Sequence, residues 1–485
     1  MQDALLRVRV RQLLVVVIVT VLSCLRCAHI HLLWADEDYH LGAALEILHG
    51  KVPYRDFWYD KPPLSALYYT LIGALPGWPL RLLDVLYILT ACWFAYRLAR
   101  TWWGEAEGYA AAALLAFFTT FYLPSAVIPF AADALMLVPH LAAIYYAARK
   151  MPLAAGGSAG VAFLVNPKGV FVLAACAIWI GPAVWRLVGG FLLPVSAAGA
   201  AAIGWGAWNG YVDQVWRWGF RYAEGSPLQE PLKAGLIRTA DWLGFHAALA
   251  GGVGLGLAHV KREMRWRLGA WLLLSFAGVC LGMRFTPRYF LQFVAPMVIV
   301  AARGIVLAAR EYGKPALAVL ALALLAPLLR FGPRYVSLAL DDISGRQPNW
   351  NDVALDLDSQ DAARKIRSLA RPGDTLFVWG YRPDIYVYSR MIPSERFVDS
   401  QPLTGVPADR HLTETNPIYS GAHRSDPAAR NRQVFVRSHP TFVVDGLGLL
   451  NPKLRPDAYP EVRHWLEGYR LVDRTKLSLI FRRIQ

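Results

Sequence analysis

Residues 34–64 read WADEDYHLGAALEILHGKVPYRDFWYDKPPL and directly follow the first strongly apolar stretch of the chain. This segment brings five charged side chains to the edge of a predicted membrane span: Asp36, Glu37, Asp38, Asp60 and Lys61. Charges at a membrane boundary are costly to desolvate, so they are normally paired, hydrated or functional. Beside an amphipathic helix and a Lys-Pro-Pro turn, they favour chemistry on a charged, lipid-linked substrate.

The composition of the 485 residues is typical of an integral membrane protein. Hydrophobic residues make up 56% of the chain and charged residues 18%, against roughly 25% charged residues in soluble domains. Stretches apolar enough for a spanning helix of about 20 residues recur between positions 12 and 332. The formal net charge of +15 lies largely in short loops between these stretches, where it orients spans. We therefore expect the lipid bilayer, and not nucleic acid, as a partner.

The five cysteines give no indication of a disulfide framework. All of them lie within or beside apolar stretches, and none is in the polar C-terminal region: Cys24, Cys27, Cys92, Cys176 and Cys280. The first two have CxxC spacing, but they lie in a predicted membrane span without a βαβ context. A redox role is therefore not expected.

The distribution of basic residues predicts the orientation of the spans. Basic residues concentrate in alternate loops, and cytoplasmic loops are enriched in Lys and Arg. We therefore expect a cytoplasmic N-terminus and an uncleaved first helix, rather than a signal peptide or a lipidated leader. The pattern predicts about 11 spans, near residues 12–33, 81–100, 107–123, 127–148, 153–166, 169–186, 188–208, 241–260, 268–284, 289–309 and 315–332.

The same orientation predicts which segments share the outer side of a bacterial cytoplasmic membrane. These are the first outer loop (34–80), residues 209–240, the turn 284–288 and the chain after Arg334. The prolines within 62–79 favour helices lying along the interface in that first loop. The break at 166–169, which reads Asn-Pro-Lys-Gly, interrupts two short apolar stretches and could be re-entrant.

A change in composition near residue 335 predicts two domains. Residues 1–334 form a polytopic α-helical membrane domain, and residues 335–485 form a soluble, outward-facing α/β domain. Short strands near 374–379 and 441–445 alternate with helices, and a hairpin near 469–482 ends the chain. This alternation predicts a largely parallel sheet. The region contains no G-x-G-x-x-G or P-loop motif, so no nucleotide site is indicated.

Asp36 is the first candidate for a chemical role. Together with Glu37 it could cap the outer end of the first helix. Alternatively, Asp36 and Glu37 are the candidate catalytic residues, with Asp36 as a general base in a partly desolvated site. His40 lies four residues further on the same helical face, which allows a metal pair with Asp36 for a divalent cation such as Mg²⁺ or Mn²⁺. A single carboxylate and a single imidazole are a weak metal signal, and Tyr39 between them is a further candidate site residue.

The other candidates are charged residues at turns and at membrane depth. Asp60 and Lys61 could form only a structural turn, or Lys61 could face a phosphate. Arg284, Arg288 and Tyr289 could reach lipid headgroups or clamp a phosphate leaving group. Two further candidates lie within the predicted membrane domain, where ionisable groups are commonly functional: Asp133 and Lys168.

These motifs resemble the first outer loop of GT-C glycosyltransferases, in particular glycosyltransferase family 39 and the aminoarabinose transferases that modify lipid A. The matching elements are Asp-Glu-x-Tyr at 36–39, Gly-x-x-Pro-Tyr-x-Asp at 50–56 and Lys-Pro-Pro-Leu at 61–64. Collinear segments at 133–136, 160–168 and 288–296 extend the resemblance to about residues 10–310. The segment Trp379–Tyr386 resembles C-terminal domains attached to some bacterial members.

The resemblance implies transfer of a sugar from a polyprenyl-phosphate donor to an acceptor hydroxyl, which could belong to a glycan, a lipid or a protein. It implies inversion, with Asp36 as the base and with Lys61, Arg288 and Tyr289 around the lipid phosphate. A lipid-linked sugar flippase is the main alternative, although it would favour inverted repeats and charges at mid-membrane. A scaffold and an O-antigen ligase or polymerase are further alternatives.

Overall fold

The computed structural model describes residues 2–122, 129–224, 228, 230–348, 353–408, 411–412 and 427–484, without the side chains of 2–11 and 222–224. Parts of the predicted spans 107–123 and 127–148 lie outside the described residues.

The first helices are α1 (Gln2–Cys27), α2 (Glu37–Leu48), α3 (Leu64–Thr70), α4 (Trp78–Trp103), α5 (Glu105–Phe118), α6 (Ala132–Leu135), α7 (Leu137–Ala148) and α8 (Pro152–Val165). They are followed by α9 (Gly169–Ile180), α10 (Val184–Gly204), α11 (Trp208–Tyr211), α12 (Trp218–Glu224), α13 (Pro231–Phe245), α14 (Ala247–Ala258), α15 (Arg262–Cys280), α16 (Leu291–Tyr312) and α17 (Lys314–Ser344).

Several of these helices could cross a membrane. By length and composition, five described segments qualify: Trp78–Trp103, Gly169–Gly204, Arg262–Met283, Pro287–Tyr312 and Lys314–Ser344. Shorter apolar helices cover Gln12–Cys27, Ala132–Ala148, Pro152–Val165 and Ala247–Ala258. The multi-pass architecture is thus supported, while the span count of about 11 remains a prediction.

The first outer loop begins differently from the sequence-based expectation. The first helix ends at Cys27, and Asp36 occupies the N-cap position of α2. The suggestion that Asp36 and Glu37 cap the outer end of α1 was therefore wrong. The chain turns between the two helices, where the Trp34 indole donates a hydrogen bond to the His29 ring at 3.0 Å. This turn directs α2 away from the axis of α1.

The C-terminal unit, defined here as residues 353–484, contains a five-stranded sheet. Its helices are α18 (Ala354–Leu369), α19 (Asp384–Ser389), α20 (Gln401–Thr404), α21 (Pro427–Phe435) and α22 (Pro460–Leu466). Its strands are β1 (Thr375–Trp379), β2 (Ile392–Pro393), β3 (Phe442–Asp445), β4 (Tyr469–Arg474) and β5 (Leu479–Arg483), in the spatial order β2-β1-β3-β5-β4.

The sheet is mixed, which corrects the expectation of a largely parallel one. β1 pairs in parallel with β2 and β3, whereas β5 pairs antiparallel with β3 and β4. The reason is the short turn between β4 and β5, because strands joined by a hairpin can pair only in an antiparallel manner. The predicted C-terminal hairpin itself is present.

One apolar core joins α2 to the C-terminal unit. Leu41 and Leu45 of α2 pack in the same buried cluster as Ile385 and Val387 of α19 and Leu376 of β1. Burial of such side chains provides the main favourable term in association of protein segments. The first outer loop and the C-terminal unit therefore hold each other in place.

Buried carboxyl groups also meet at this interface. Asp38 of α2 interacts electrostatically with Asp384 of α19 and Asp356 of α18. Burial raises the pKa of Asp38 well above its usual range, that of Asp356 to about 8 and that of Asp384 to about 6, and their mutual repulsion adds to this for Asp38 and Asp356. The interface consequently favours protonated carboxyl groups.

Replacement of Asp356 should change how stability depends on pH. The pKa of Asp356 is about 8 in the fold and near its ordinary value of 3.8 in an unfolded chain. Wild-type stability is therefore lost as the pH rises from about 4 to about 8. Asp356→Asn removes this titration, so we expect its melting temperature relative to wild type to rise between about pH 5 and pH 8. Thermal unfolding in detergent measures this difference.

The matched control is Asp361→Asn on the same helix, whose carboxylate pairs with exposed Arg364 at 3.3 Å. The melting temperature of this variant should follow that of wild type across the same pH range, because surface pairs contribute little. Identical pH responses for the two variants would contradict the role assigned to Asp356.

Candidate active site

Asp36 lies at the centre of the candidate site. Its backbone has a φ of 80°, in the left-handed region that few non-glycine residues adopt. Its carboxylate accepts a hydrogen bond from the Arg288 guanidinium, which also donates to the carbonyl of Ala35 at 3.2 Å. The Asp36 side chain is 42% exposed. It is thus held in position and still accessible to a substrate.

The strained start of α2 brings Asp36 together with the turn that precedes α16. Residues Pro287–Phe290 form one turn of 3₁₀ helix, and Pro287 supplies a fixed φ at its first position. Arg288 points to Asp36, whereas the next ring, Tyr289, lies under Lys168 with the ammonium nitrogen 3.1 Å from the ring centre. The predicted Arg-Tyr segment therefore joins Asp36 to the helix break.

Lys168 is a buried cation at the break between α8 and α9. It is 7% exposed, and its ammonium group makes no hydrogen bond with the described residues. The amide of Lys168 donates to the Asn166 side chain at 3.1 Å, and this bond holds the turn. Unpaired ammonium groups are rarely buried unless an anion or an aromatic face is nearby. The Tyr289 ring and the nearby Asp133 carboxylate are the described groups that offset the buried charge of Lys168.

Asp133 lies on the same side of the site. It accepts a hydrogen bond from Asn166 at 3.2 Å and interacts electrostatically with both Lys168 and Lys61. These contacts bring together the helix break, the start of α6 and the Lys-Pro-Pro turn. Three segments far apart in the chain thus form one charged cluster.

The Lys-Pro-Pro turn completes this cluster. The Lys61 ammonium lies 3.0 Å from Asp60, and the Tyr39 hydroxyl donates to the other Asp60 oxygen at 2.9 Å. The Tyr54 hydroxyl donates to the Lys61 carbonyl at 2.8 Å, which fixes the backbone of the turn. The Lys61 side chain is 41% exposed, so solvent reaches it.

Glu37 differs from its neighbour Asp36. It is fully buried and forms two bonds with Arg81, at 2.8 and 3.0 Å. It also accepts hydrogen bonds from the amides of Phe130 and Trp34, at 2.7 and 3.2 Å. Both oxygens are engaged, so the expectation that Glu37 acts directly in catalysis is replaced by a structural role.

Sequence reasoning missed the ion pairs beneath the site. Arg81 pairs with Glu37, and Asp84 one turn further along α4 accepts from Arg26 of α1 at 3.0 Å. The sequence did contain a signal for these pairs. Arg81 and Asp84 are opposite charges near the start of the apolar helix α4, where ionisable side chains require partners. The partners could not be identified, since Glu37 and Arg81 are 44 residues apart.

The two residues suggested as a metal pair, Asp36 and His40, have other partners in the structure. The His40 ring is hydrogen-bonded to the Tyr59 hydroxyl at 2.7 Å and stacks on Tyr69, whereas Asp36 contacts Arg288. Across the part of the chain that the structure describes, no three His, Cys, Asp or Glu side chains converge to hold an ion. The remaining candidate, Arg284, is buried, and its carbonyl accepts from Arg238 at 2.9 Å.

The C-terminal unit adds side chains that the sequence did not single out. Tyr381 stacks on Tyr39 with ring centres 5.6 Å apart, and its hydroxyl lies 3.5 Å from the Asp36 carboxylate. Asp399 is buried and interacts electrostatically with Asp60 and Lys61, and burial raises its pKa to about 7. Tyr381 lies in the segment Trp379–Tyr386, which resembles C-terminal domains of some bacterial family members, but nothing local indicated a place in the site. The proximity of both residues to the site depends on how the two parts of the chain pack.

Loss of the Glu37 carboxylate should destabilise the protein strongly. Glu37→Gln leaves the buried Arg81 without a counter-charge, and breaking a buried ion pair costs about 3–5 kcal/mol. We expect a marked fall in melting temperature in detergent. Asp36→Asn is the matched control at the adjacent position, where a partly exposed pair contributes within about 1 kcal/mol. A Glu37→Gln protein with wild-type stability and no activity would instead assign Glu37 a direct chemical role.

Part of the sequence matches a known protein family. Residues 60–201 match the family model described as dolichyl-phosphate-mannose-protein mannosyltransferase. None of the curated proteins matches the sequence.

The solved structures that resemble the chain cover nearly all of it. ArnT from Cupriavidus metallidurans bound to undecaprenyl phosphate matches with a TM-score of 0.60 and 13% identity, covering 97% of this chain and 98% of that one. Its apo form matches with a TM-score of 0.59 and 14% identity, covering 99% and 98%. The oligosaccharyltransferase AglB from Archaeoglobus fulgidus matches with a TM-score of 0.51 and 12% identity, covering 94% and 72%. The resemblance found in the sequence is thus confirmed, and the chain has the GT-C fold that it shares with ArnT and AglB.

Proposed function

We propose that this protein is an inverting glycosyltransferase that moves a sugar from a polyprenyl-phosphate donor to an acceptor hydroxyl. The main support is the position of Asp36 beside a cluster of cations. These cations are Arg288, Lys61 and the buried Lys168. A carboxylate base and fixed cations are the two components that displacement of a phosphate by a hydroxyl requires. The similar structures of ArnT bound to undecaprenyl phosphate and of AglB in complex with a dolichol-phosphate support the class of donor.

The reaction follows from the chemistry of these groups. Asp36 takes the proton of the acceptor hydroxyl as its oxygen attacks the anomeric carbon from the face opposite the phosphate. A carbon–oxygen bond forms to the acceptor, and the bond from the anomeric carbon to the phosphate oxygen breaks with its electron pair. The charge that develops on the departing phosphate is stabilised by Lys168, Lys61 and Arg288, with Tyr289 supporting the first of these. Displacement from the opposite face inverts the anomeric configuration.

The location of the site supports transfer at the outer face of the cytoplasmic membrane. The proposed site lies at the junction of the first outer loop with the C-terminal unit, and the distribution of basic loops supports an orientation of both away from the cytoplasm. We propose that residues 1–334 form the membrane domain and that 335–485 form an extracytoplasmic domain. The acceptor is a hydroxyl on a glycan, lipid or protein that reaches this junction.

Replacement of the proposed base should abolish transfer and retain donor binding. We expect Asp36→Asn to lower sugar transfer at least about 100-fold, because general bases contribute roughly 10²–10⁴ to rates. The measurement is transfer from a panel of radiolabelled polyprenyl-phosphate sugars by protein in nanodiscs, with the anomeric configuration of the product determined by NMR.

Asp361→Asn, on the outer face of α18, is the control that should retain the wild-type rate. Transfer by Asp36→Asn at the wild-type rate would exclude Asp36 as the base. Tight binding of the lipid without turnover by either protein, with acceptors present, would favour the flippase alternative.

Removal of the buried ammonium should weaken binding of the lipid phosphate. Lys168→Met keeps an unbranched side chain of nearly the same length and removes its charge. A charge-assisted hydrogen bond contributes about 1.5–3 kcal/mol, so we expect a Kd for polyprenyl phosphate that is roughly 10- to 100-fold higher. Binding of the uncharged polyprenol should not change, which separates the loss of charge from a loss of lipid packing.

Lys261→Met is the control for this variant, because Lys261 is exposed in the loop between α14 and α15. It should bind polyprenyl phosphate as wild type does. Equal affinities of the Lys168 and Lys261 variants would remove Lys168 from the phosphate site.

A further inference from the structure

Tyr381 belongs to the C-terminal unit, but its neighbours belong to the first outer loop. It follows β1 and Gly380, whose φ of 137° turns the chain toward α2. Its ring stacks on Tyr39, which stacks in turn on Tyr59 with ring centres 5.4 Å apart. The stack thus continues from the C-terminal unit into the loop that carries Asp36.

The hydroxyl of Tyr381 faces the oxygen of Asp36 that Arg288 does not bind. Arg288 donates to Oδ2, whereas the Tyr381 hydroxyl lies 3.5 Å from Oδ1. One carboxylate is thus held from two directions, by the turn before α16 and by the C-terminal unit. A base with both oxygens oriented has fewer nonproductive conformations than one held at a single point.

The backbone around Tyr381 is firmly anchored. Its neighbour Arg382 is buried and donates to Asp358, Ser359 and Ser478 at distances between 2.6 and 3.1 Å. These bonds connect the turn to α18 and to the start of β5. Tyr381 therefore cannot move without disturbing a buried network, which makes its hydroxyl a fixed reference for Asp36.

Gly42 of α2 sets how closely the C-terminal unit approaches. A Cβ at this position would lie 3.1 Å from Cβ of Pro383 and 3.2 Å from Cγ1 of Val398. Pro383 is two residues after Tyr381, so any shift of this contact is transmitted to the tyrosine. The close approach of α2 and the placement of the hydroxyl therefore depend on the same contact.

We propose that the C-terminal unit completes the active site by supplying Tyr381 as a positioning residue, which orients Asp36 through its hydroxyl; this inference rests on the proposed function. The C-terminal unit thereby contributes to the reaction by orienting Asp36, in addition to any contact that it makes with the acceptor. Tyr381 acts through Asp36 and exchanges no proton with the substrate.

The test is steady-state kinetics of the full-length protein in nanodiscs. Tyr381→Phe keeps the stack on Tyr39 and removes only the hydroxyl. We expect kcat to fall about three- to tenfold, as for loss of one hydrogen bond, while the donor KM and the melting temperature stay at wild-type values. Tyr469→Phe is the control, because the Tyr469 hydroxyl lies in the same unit and has no hydrogen-bond partner among the described residues. It should keep the wild-type kcat.

A second variant, in α2, tests the close approach between α2 and the segment that carries Tyr381. Gly42→Ala requires Pro383 and Val398 to shift by a few tenths of an ångström, so it should also lower kcat. Because Tyr381→Phe removes the hydroxyl that Gly42→Ala displaces, the double variant should be no slower than the slower single variant. Gly254→Ala, where an added Cβ meets nothing within 4 Å, is the control and should keep the wild-type rate.

The outcomes separate the two levels of the proposal. A wild-type protein that transfers sugar from no donor overturns the proposed function, and the positioning role with it. Wild-type transfer with Tyr381→Phe kinetics equal to those of Tyr469→Phe overturns the positioning role alone. Multiplicative losses in the double variant, or a rise in KM without a fall in kcat, also overturn it.

Discussion

The ion pair between Glu37 and Arg81 is the interaction on which the site depends. It is buried, and a buried pair is favourable only when its geometry is good and its remaining polar atoms are satisfied. Here the pair has two bonds, and Glu37 accepts two backbone amides as well. These contacts connect the start of α2 to α4 and to the segment before α6. Asp36, one residue earlier, is therefore placed by its neighbour and remains available for chemistry.

The charges of the site are arranged around a place for an anion. Lys168 is buried, and its ammonium group has no hydrogen bond to any described residue. Its positive charge is partly offset by the Asp133 carboxylate and by the Tyr289 ring. A cation held in this way costs free energy in the empty protein. In the proposed reaction a phosphate relieves that cost, so affinity for a charged lipid and stabilisation of a leaving phosphate would have the same origin. The partly exposed Lys61 provides the accessible side of the same cluster.

Sequence reasoning identified most of the cluster but not its internal contacts. Asp36, Lys61, Asp133, Lys168 and Arg288 were all candidates, and the structure brings them together. Glu37 was given the same role as Asp36, because adjacent carboxylates look alike until their partners are known. Tyr381 lies in a segment that the resemblance had marked, at 379–386, but its place in the site was missed because the contact with Asp36 spans 345 residues. The sheet was predicted to be largely parallel, although it is mixed. The sequence predicted the C-terminal hairpin but did not show that its second strand, β5, pairs antiparallel with β3.

The sequence by itself determined the membrane class and the break at residues 166–169, and it supplied the candidate residues from which we propose a phosphate-binding site. These follow from local composition, from hydrophobic length and from prolines and charges at element ends, which need no knowledge of distant contacts. Only the tertiary structure decided which carboxylate is buried and which is accessible, and that the C-terminal unit reaches Asp36. Those outcomes depend on pairings across 44 and 345 residues. Such pairings arise from packing of the whole chain, because the desolvation of each charge is set by every segment that covers it.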